Sequence, residues 1–142
     1  MTTNEIDDER TTGGCLCGQV RYDFGGHPLL TAICHCRNCQ RQSGSAFGIV
    51  IAVAAADFDM KGETRTYNDG SDSGRTVARV FCPTCGSPIL SRIEPMPDLV
   101  LIKAGTLDAP GALRPVVELY CDRALPFLPA IAGTERHGQS NI

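Results

Sequence analysis

The chain has 142 residues, 42 % of them hydrophobic, and a formal charge of −3 at pH 7. That length suits one compact domain with its own core, and the acidic balance excludes the strongly basic surface of a nucleic-acid-binding protein. The longest apolar run, "FGIVIAVAAA" at 47–56, is too short for a membrane-spanning helix. "MTTNEIDDERTT" at the start has neither a basic nor an apolar leader region, so a soluble cytoplasmic protein with no membrane partner is expected.

Residues 1–11 are expected to form a flexible N-terminus and the polar stretch 133–142 a flexible tail, with one domain at 12–132 between them. "QVRYDF" at 19–24 alternates, placing Val20, Tyr22 and Phe24 on one face of a half-buried strand. "LLTAI" leads as a strand into a cysteine-rich loop, and "RNCQRQSG" allows one helical turn after it. "AFGIVIAV" reads as a buried strand and "AAADF" as another short turn. "ETRTY" is a short strand, followed by the turn-rich "NDGSDSG". "RTVARVF" alternates into Cys82, "GSPIL" returns to a strand, and "LVLIKAG" and "VVELY" complete the series. "RIEPMPDL", with two prolines, is a loop. Helical periodicity is scarce, so the fold class is mainly β: several small antiparallel sheets in a compact sandwich or open barrel.

Seven of the eight cysteines fall into short-spaced groups, which argues against thiols scattered through a core. In a reducing compartment such clusters are metal ligands or redox catalysts. "FCPTCGSPI" holds Cys82 and Cys85 at C-x-x-C spacing with a glycine after the second, as in a zinc knuckle. A redox pair would sit at a helix N-terminus, and no helix-forming stretch follows. A closed structural zinc needs four ligands, and "GGCLCGQV" offers Cys15 and Cys17. In an extended C-x-C segment both side chains point the same way, so Cys15 and Cys17 can grip one metal together and complete a set with Cys82 and Cys85; the alternative is two cysteines packed in one core face.

"CHCRNC" leaves Cys34, Cys36 and Cys39. Three protein ligands with an open fourth position are the arrangement of a catalytic zinc, and a thiophilic metal would accept an incoming thiolate there. His35 between them is the alternative fourth ligand that would close the site, but it points away from both neighbouring thiolates if the segment is extended. His27 and His137 are expected to face solvent.

In this order, "GGCLCGQVRYDF", "CHCRNCQRQSGSAF" and "FCPTCGSPIL" resemble the glutathione-dependent formaldehyde-activating enzyme family, whose domain also occurs in centromere protein V. The resemblance covers about 12–128. It implies two zinc ions per chain, a structural one on Cys15, Cys17, Cys82 and Cys85 and a catalytic one on Cys34, Cys36 and Cys39. It also implies a fold of small β-sheets shared with B-type methionine sulfoxide reductases. The implied activity is that of a carbon–sulfur lyase, condensing glutathione or a similar small thiol with formaldehyde or another small aldehyde to give S-(hydroxymethyl)glutathione or its analogue. Arg37, Arg41 and Lys103 are candidate cations near the negatively charged site, although such residues are most often solvated at a surface. The family's Pro-Trp pair is replaced by Pro126 and Phe127, and Glu118 stands about where family members often carry a histidine.

Two other functions fit parts of the sequence. Cys121 in "LYCDRA", on an expected strand with Arg123 nearby, is somewhat similar to the catalytic cysteine of B-type methionine sulfoxide reductases, although a small buried hydrophobe is its commoner fate. A non-catalytic zinc module binding a partner through a strand edge is the other. The three-cysteine loop separates them, since a scaffold has no need of an open coordination position.

Overall fold

A computed structural model of the chain describes residues 10–70 and 74–139. Two sheets make up the fold of the described residues. The smaller is antiparallel, in the order β1 (Thr11–Gly14), β2 (Arg21–Phe24) and β5 (Phe58–Lys61). The larger has eight strands, β3 (Leu30–Cys34), β4 (Gly48–Ala54), β6 (Arg65–Gly70), β7 (Thr76–Phe81), β8 (Pro88–Ile93), β9 (Leu99–Lys103), β10 (Val117–Leu119) and β11 (Glu135–Arg136), ordered β11-β10-β3-β4-β9-β8-β7-β6. The α-helix among the described residues is α1 (Arg37–Ser43).

The alternation in β2 does what period-two patterning requires. Val20, Tyr22 and Phe24 are 0 %, 2 % and 1 % exposed and join Ile51, Val53, Val80, Leu90, Val100 and Ile102 in one core. The small sheet is therefore held against one face of the large sheet by apolar burial, at roughly 1.5–3 kcal/mol for each large side chain fully removed from water. Gly48 and Val50 turn to the opposite face, and α1 lies there: a Cβ built on Gly48 would be 3.6 Å from Cβ of Cys39.

Several expectations are corrected. The large sheet is mixed, because β10 runs parallel to both β3 and β11. Local alternation in "VVELY" carries no information on direction, and the long excursion between β3 and β10 permits the parallel pairing. The helix has seven residues rather than one turn, capped by the Cys36 side chain at one end and by Gly44 at φ 68° at the other. Cys121 is not on a strand. It opens a single 3₁₀ turn (Cys121–Arg123) after Tyr120, whose φ of 55° breaks the extended run.

The tail expected to be flexible is docked over its described part. Glu135 and His137 donate backbone N–H to Val116 and Glu118 carbonyls at 2.9 Å each, because pairing with β10 satisfies an open sheet edge. Residues 140–142 of that tail lie outside the described residues. So do 1–9 of the N-terminal segment, whereas Thr11, within the same expected stretch, opens β1. Asn68–Gly70 of the expected turn extends β6, and 71–73 are outside the described residues. No helix among the described residues is long and apolar enough to cross a membrane.

Candidate metal centres

The first cluster lies between the two sheets. Cys15 and Cys17 sit on the turn after β1, where Gly18 at φ 85° lets the chain reverse. A turn rather than a strand pleat brings these two thiols together, at 3.6 Å. Cys82 and Cys85 lie on the connection from β7 to β8. There Gly86, at φ 80°, donates its N–H to the Cys82 carbonyl at 2.8 Å. The four sulfurs lie within 4.8 Å of one another, with Cys17 and Cys82 at 3.8 Å. Four thiolates around zinc at 2.3 Å stand about 3.8 Å apart in a tetrahedron, so this donor set fits zinc.

Surrounding groups already point toward thiolates. The Val20 and Thr84 amides donate to Sγ of Cys15 and Cys82 at 3.2 and 3.4 Å. The Ser87 hydroxyl lies 3.2 Å from Sγ of Cys85, and chiefly through this bond the Cys85 thiol is lowered to about 5. Leu16 N–H to Ser87 Oγ at 3.0 Å and Thr84 Oγ1 to Gln19 Oε1 at 2.6 Å stitch the two turns together. No helix follows Cys85, and β8 begins at Pro88.

The second cluster lies on the far face of the large sheet. Cys34 ends β3, Cys36 caps α1, and Cys39 is in its first turn. Their three sulfurs also lie within 4.8 Å, and the Cys39 amide donates to Sγ of Cys36 at 3.3 Å. Hydrogen bonds from Cys34 and then Cys36 pull the Cys39 thiol far down, with Lys103 and Arg79 adding to the effect. The Cys34 thiol is pushed far up by its hydrogen bonds to Cys36 and Cys39 and by burial. The trio's donor chemistry suits a thiophilic ion.

Of the three cations expected near this cluster, the structure places one against it. Lys103 is buried, and burial lowers its ammonium while the charge of Cys39 pulls the other way. Arg37, exposed at the start of α1, instead hydrogen-bonds the buried Gln40. Arg41 faces a cleft of about 400 Å³ between α1, through Asn38, Arg41 and Gln42, and the β6–β7 hairpin, through Tyr67, Asp69, Arg79 and Phe81. Arg79 was not anticipated. It is buried, hydrogen-bonds Cys39, and pairs with Asp69 at 2.7 Å. Only its phase in "RTVARVF", shared with Val77 and Phe81, could have signalled it.

A family model described as "Glutathione-dependent formaldehyde-activating enzyme" matches residues 10–123. The chain belongs to that family. No curated protein matches it. A crystal structure of a Rhodobacter sphaeroides protein is similar in fold, with a TM-score of 0.55 and 21 % identity over 73 % of this chain and 91 % of that one.

Glu118, on β10, is 1 % exposed. His35 does turn away from the neighbouring thiols, as strand parity predicts, and its Nε2 lies 2.8 Å from Glu118 Oε1. Arg136 Nη1 and Thr134 Oγ1 donate to Oε2 at 2.7 and 2.5 Å. Burial pushes the Glu118 carboxyl up, but the hydrogen bonds from Thr134, His35 and Arg136 outweigh it and bring it down to about 2. Gln40 donates to the His35 carbonyl at 2.8 Å, so the loop between Cys34 and Cys36 is held from two sides. Cys121 donates weakly to the Glu118 carbonyl at 3.6 Å, and its sulfur completes a third compact group with His35 and Glu118. Phe127 is 75 % exposed.

Proposed function

We propose that the protein is a zinc-dependent carbon–sulfur lyase that joins a small thiol, glutathione or a similar one, to formaldehyde or another small aldehyde. The observation that carries this reading is the pairing of a four-thiol cluster locked between the sheets with a three-thiol cluster whose neighbours Asn38 and Arg79 line an open cleft. Cys15, Cys17, Cys82 and Cys85 would hold a structural zinc, and Cys34, Cys36 and Cys39 a catalytic one. Family membership gives the class of reaction.

When bound at the three-thiol cluster, zinc supplies a Lewis-acidic position that stabilises a thiolate at neutral pH. The chain's own groups do the rest. The cleft between α1 and the hairpin receives the thiol and brings the aldehyde beside it, replacing a bimolecular encounter by proximity. A sulfur–carbon bond forms, the carbonyl π bond opens, and the proton lost by the thiol ends on the new hydroxyl. The Glu118 network, on the other face of the sheet, keeps the Cys34–Cys36 segment in place. Eight free thiols in one chain are compatible with a reducing compartment such as the cytoplasm.

Elemental analysis beside a thiol count tests the metal assignment: two zinc ions per chain and one reactive thiol, Cys121, are expected. The activity is tested by following ¹³C-labelled formaldehyde and glutathione by NMR, with and without the zinc-loaded protein. Adduct formation no faster than in its absence, across several thiols, overturns the enzymatic reading.

A further inference from the structure

The face of the large sheet that carries the three-thiol cluster also carries buried groups that an apolar core would exclude. Residues paired across antiparallel strands share a face, as do residues two apart on one strand. Arg79 pairs with Ser91, and Ser91 with Leu101, two residues before Lys103. Lys103 pairs with Val50, two residues from Gly48, which in turn pairs with Cys34. Register alone therefore sets Arg79, Ser91 and Lys103 on the face of Cys34. They are 5 %, 4 % and 7 % exposed.

Burying such groups is costly unless something answers them. Asp69 answers Arg79. No carboxylate among the described residues pairs with Lys103, and the Ser91 hydroxyl is buried without a hydrogen-bond partner. Lys103 and Arg79 face the sulfur cluster, whose Cys39 acts on both, and Ser91 lies between them on the same face of the sheet. Three thiolates around a divalent zinc leave a charge of −1, and a fourth thiolate would make −2, which disfavours an anionic ligand in a half-dry site.

We propose that Lys103, with Arg79 and Ser91, is a specificity-determining floor that makes the open position of the three-thiol centre accept an anionic sulfur in preference to a neutral ligand. This rests on the zinc reading above and names what the site selects. On binding, the thiol loses its proton to solvent, and the ammonium of Lys103 offsets the charge gained. Ser91 offers the entering sulfur a hydroxyl donor.

The test uses protein with cobalt in place of zinc, titrated with 2-mercaptoethanol and, separately, with neutral imidazole while the metal bands are recorded. Lys103→Met keeps the length but leaves the charge of the centre unanswered, so its fold and metal content are first compared with the wild type by circular dichroism and elemental analysis. The variant should bind the thiol about tenfold more weakly and imidazole as well as the wild type does. The apparent thiol pKa for binding should rise by about one unit, and Lys103→Arg should restore most of the loss. Equal losses for both ligands would mean a structural role, and an unchanged thiol affinity would mean no role; either overturns the inference while the zinc–thiol reading stands. A wild-type centre that binds no thiol at all overturns both.

Discussion

Replacing Glu118 by alanine strands three donors at once: His35 Nε2, Thr134 Oγ1 and Arg136 Nη1, all within 2.8 Å of its carboxylate. Hydrogen bonds to a charged group contribute about 1.5–3 kcal/mol each, but they share one carboxylate whose desolvation offsets part of the sum. Breaking a buried pair typically costs about 3–5 kcal/mol. With an unfolding entropy of about 2.1 cal/mol/K per residue, a loss of about 4 kcal/mol lowers the melting temperature by about 13 °C. The pH dependence has a definite sign. The carboxyl falls from 4.5 to about 2, so its stabilisation is complete above the unfolded value and is lost as pH falls toward the folded one, about 3 kcal/mol in all. The assay is thermal and urea unfolding of the zinc-loaded wild type, Glu118→Ala and Glu118→Gln at each pH, so that metal loss common to all three cancels in the difference. The wild-type advantage should be flat from pH 8 to 5 and narrow between 5 and 3. A Glu118→Ala melting point within about 3 °C of wild type, or a difference that does not narrow, would refute the network's role.

Cys17 is exposed, so Cys17→Ser would scarcely matter to folding unless the residue holds a metal. The expected result is one zinc per chain instead of two and a melting temperature ~10 °C or more lower, read by elemental analysis and calorimetry. Cys34→Ser should also remove one zinc, with a smaller loss of stability, because the three-thiol site closes no contact between the sheets. Tyr22→Phe removes the buried bond to Thr106 Oγ1 at 2.6 Å and should cost about 1 kcal/mol by urea unfolding. Since burial raises the Tyr22 phenol to about 12, the wild type should lose stability relative to that variant as pH rises from 10 through 12. Gly13→Ala should be worse, by more than about 2 kcal/mol, since its Cβ would stand 2.3 Å from Tyr22 Oη and 2.5 Å from the Thr106 carbonyl oxygen, which is backbone and cannot swing away.

The two cysteine clusters and most strands were legible because both depend on short spacings. C-x-x-C with a following glycine fixes a turn, C-x-C-x-x-C fixes three thiols around a helix start, and period-two alternation fixes which side of β2 is buried. The family resemblance rested on the same local spacings. Tertiary structure decided what joins distant parts of the chain. The parallel pairing of β10 with β3 and β11 depends on where a long connection returns, and no local pattern encodes that. Glu118 reads as a solvated carboxylate until His35, 83 residues earlier, and Arg136, 18 later, close on it. Arg79 reads as a surface cation in an alternating strand, and Lys103 as one of three candidate cations, until register across five strands turns both toward the thiols, where a buried charge is tolerable because opposite charge gathers there.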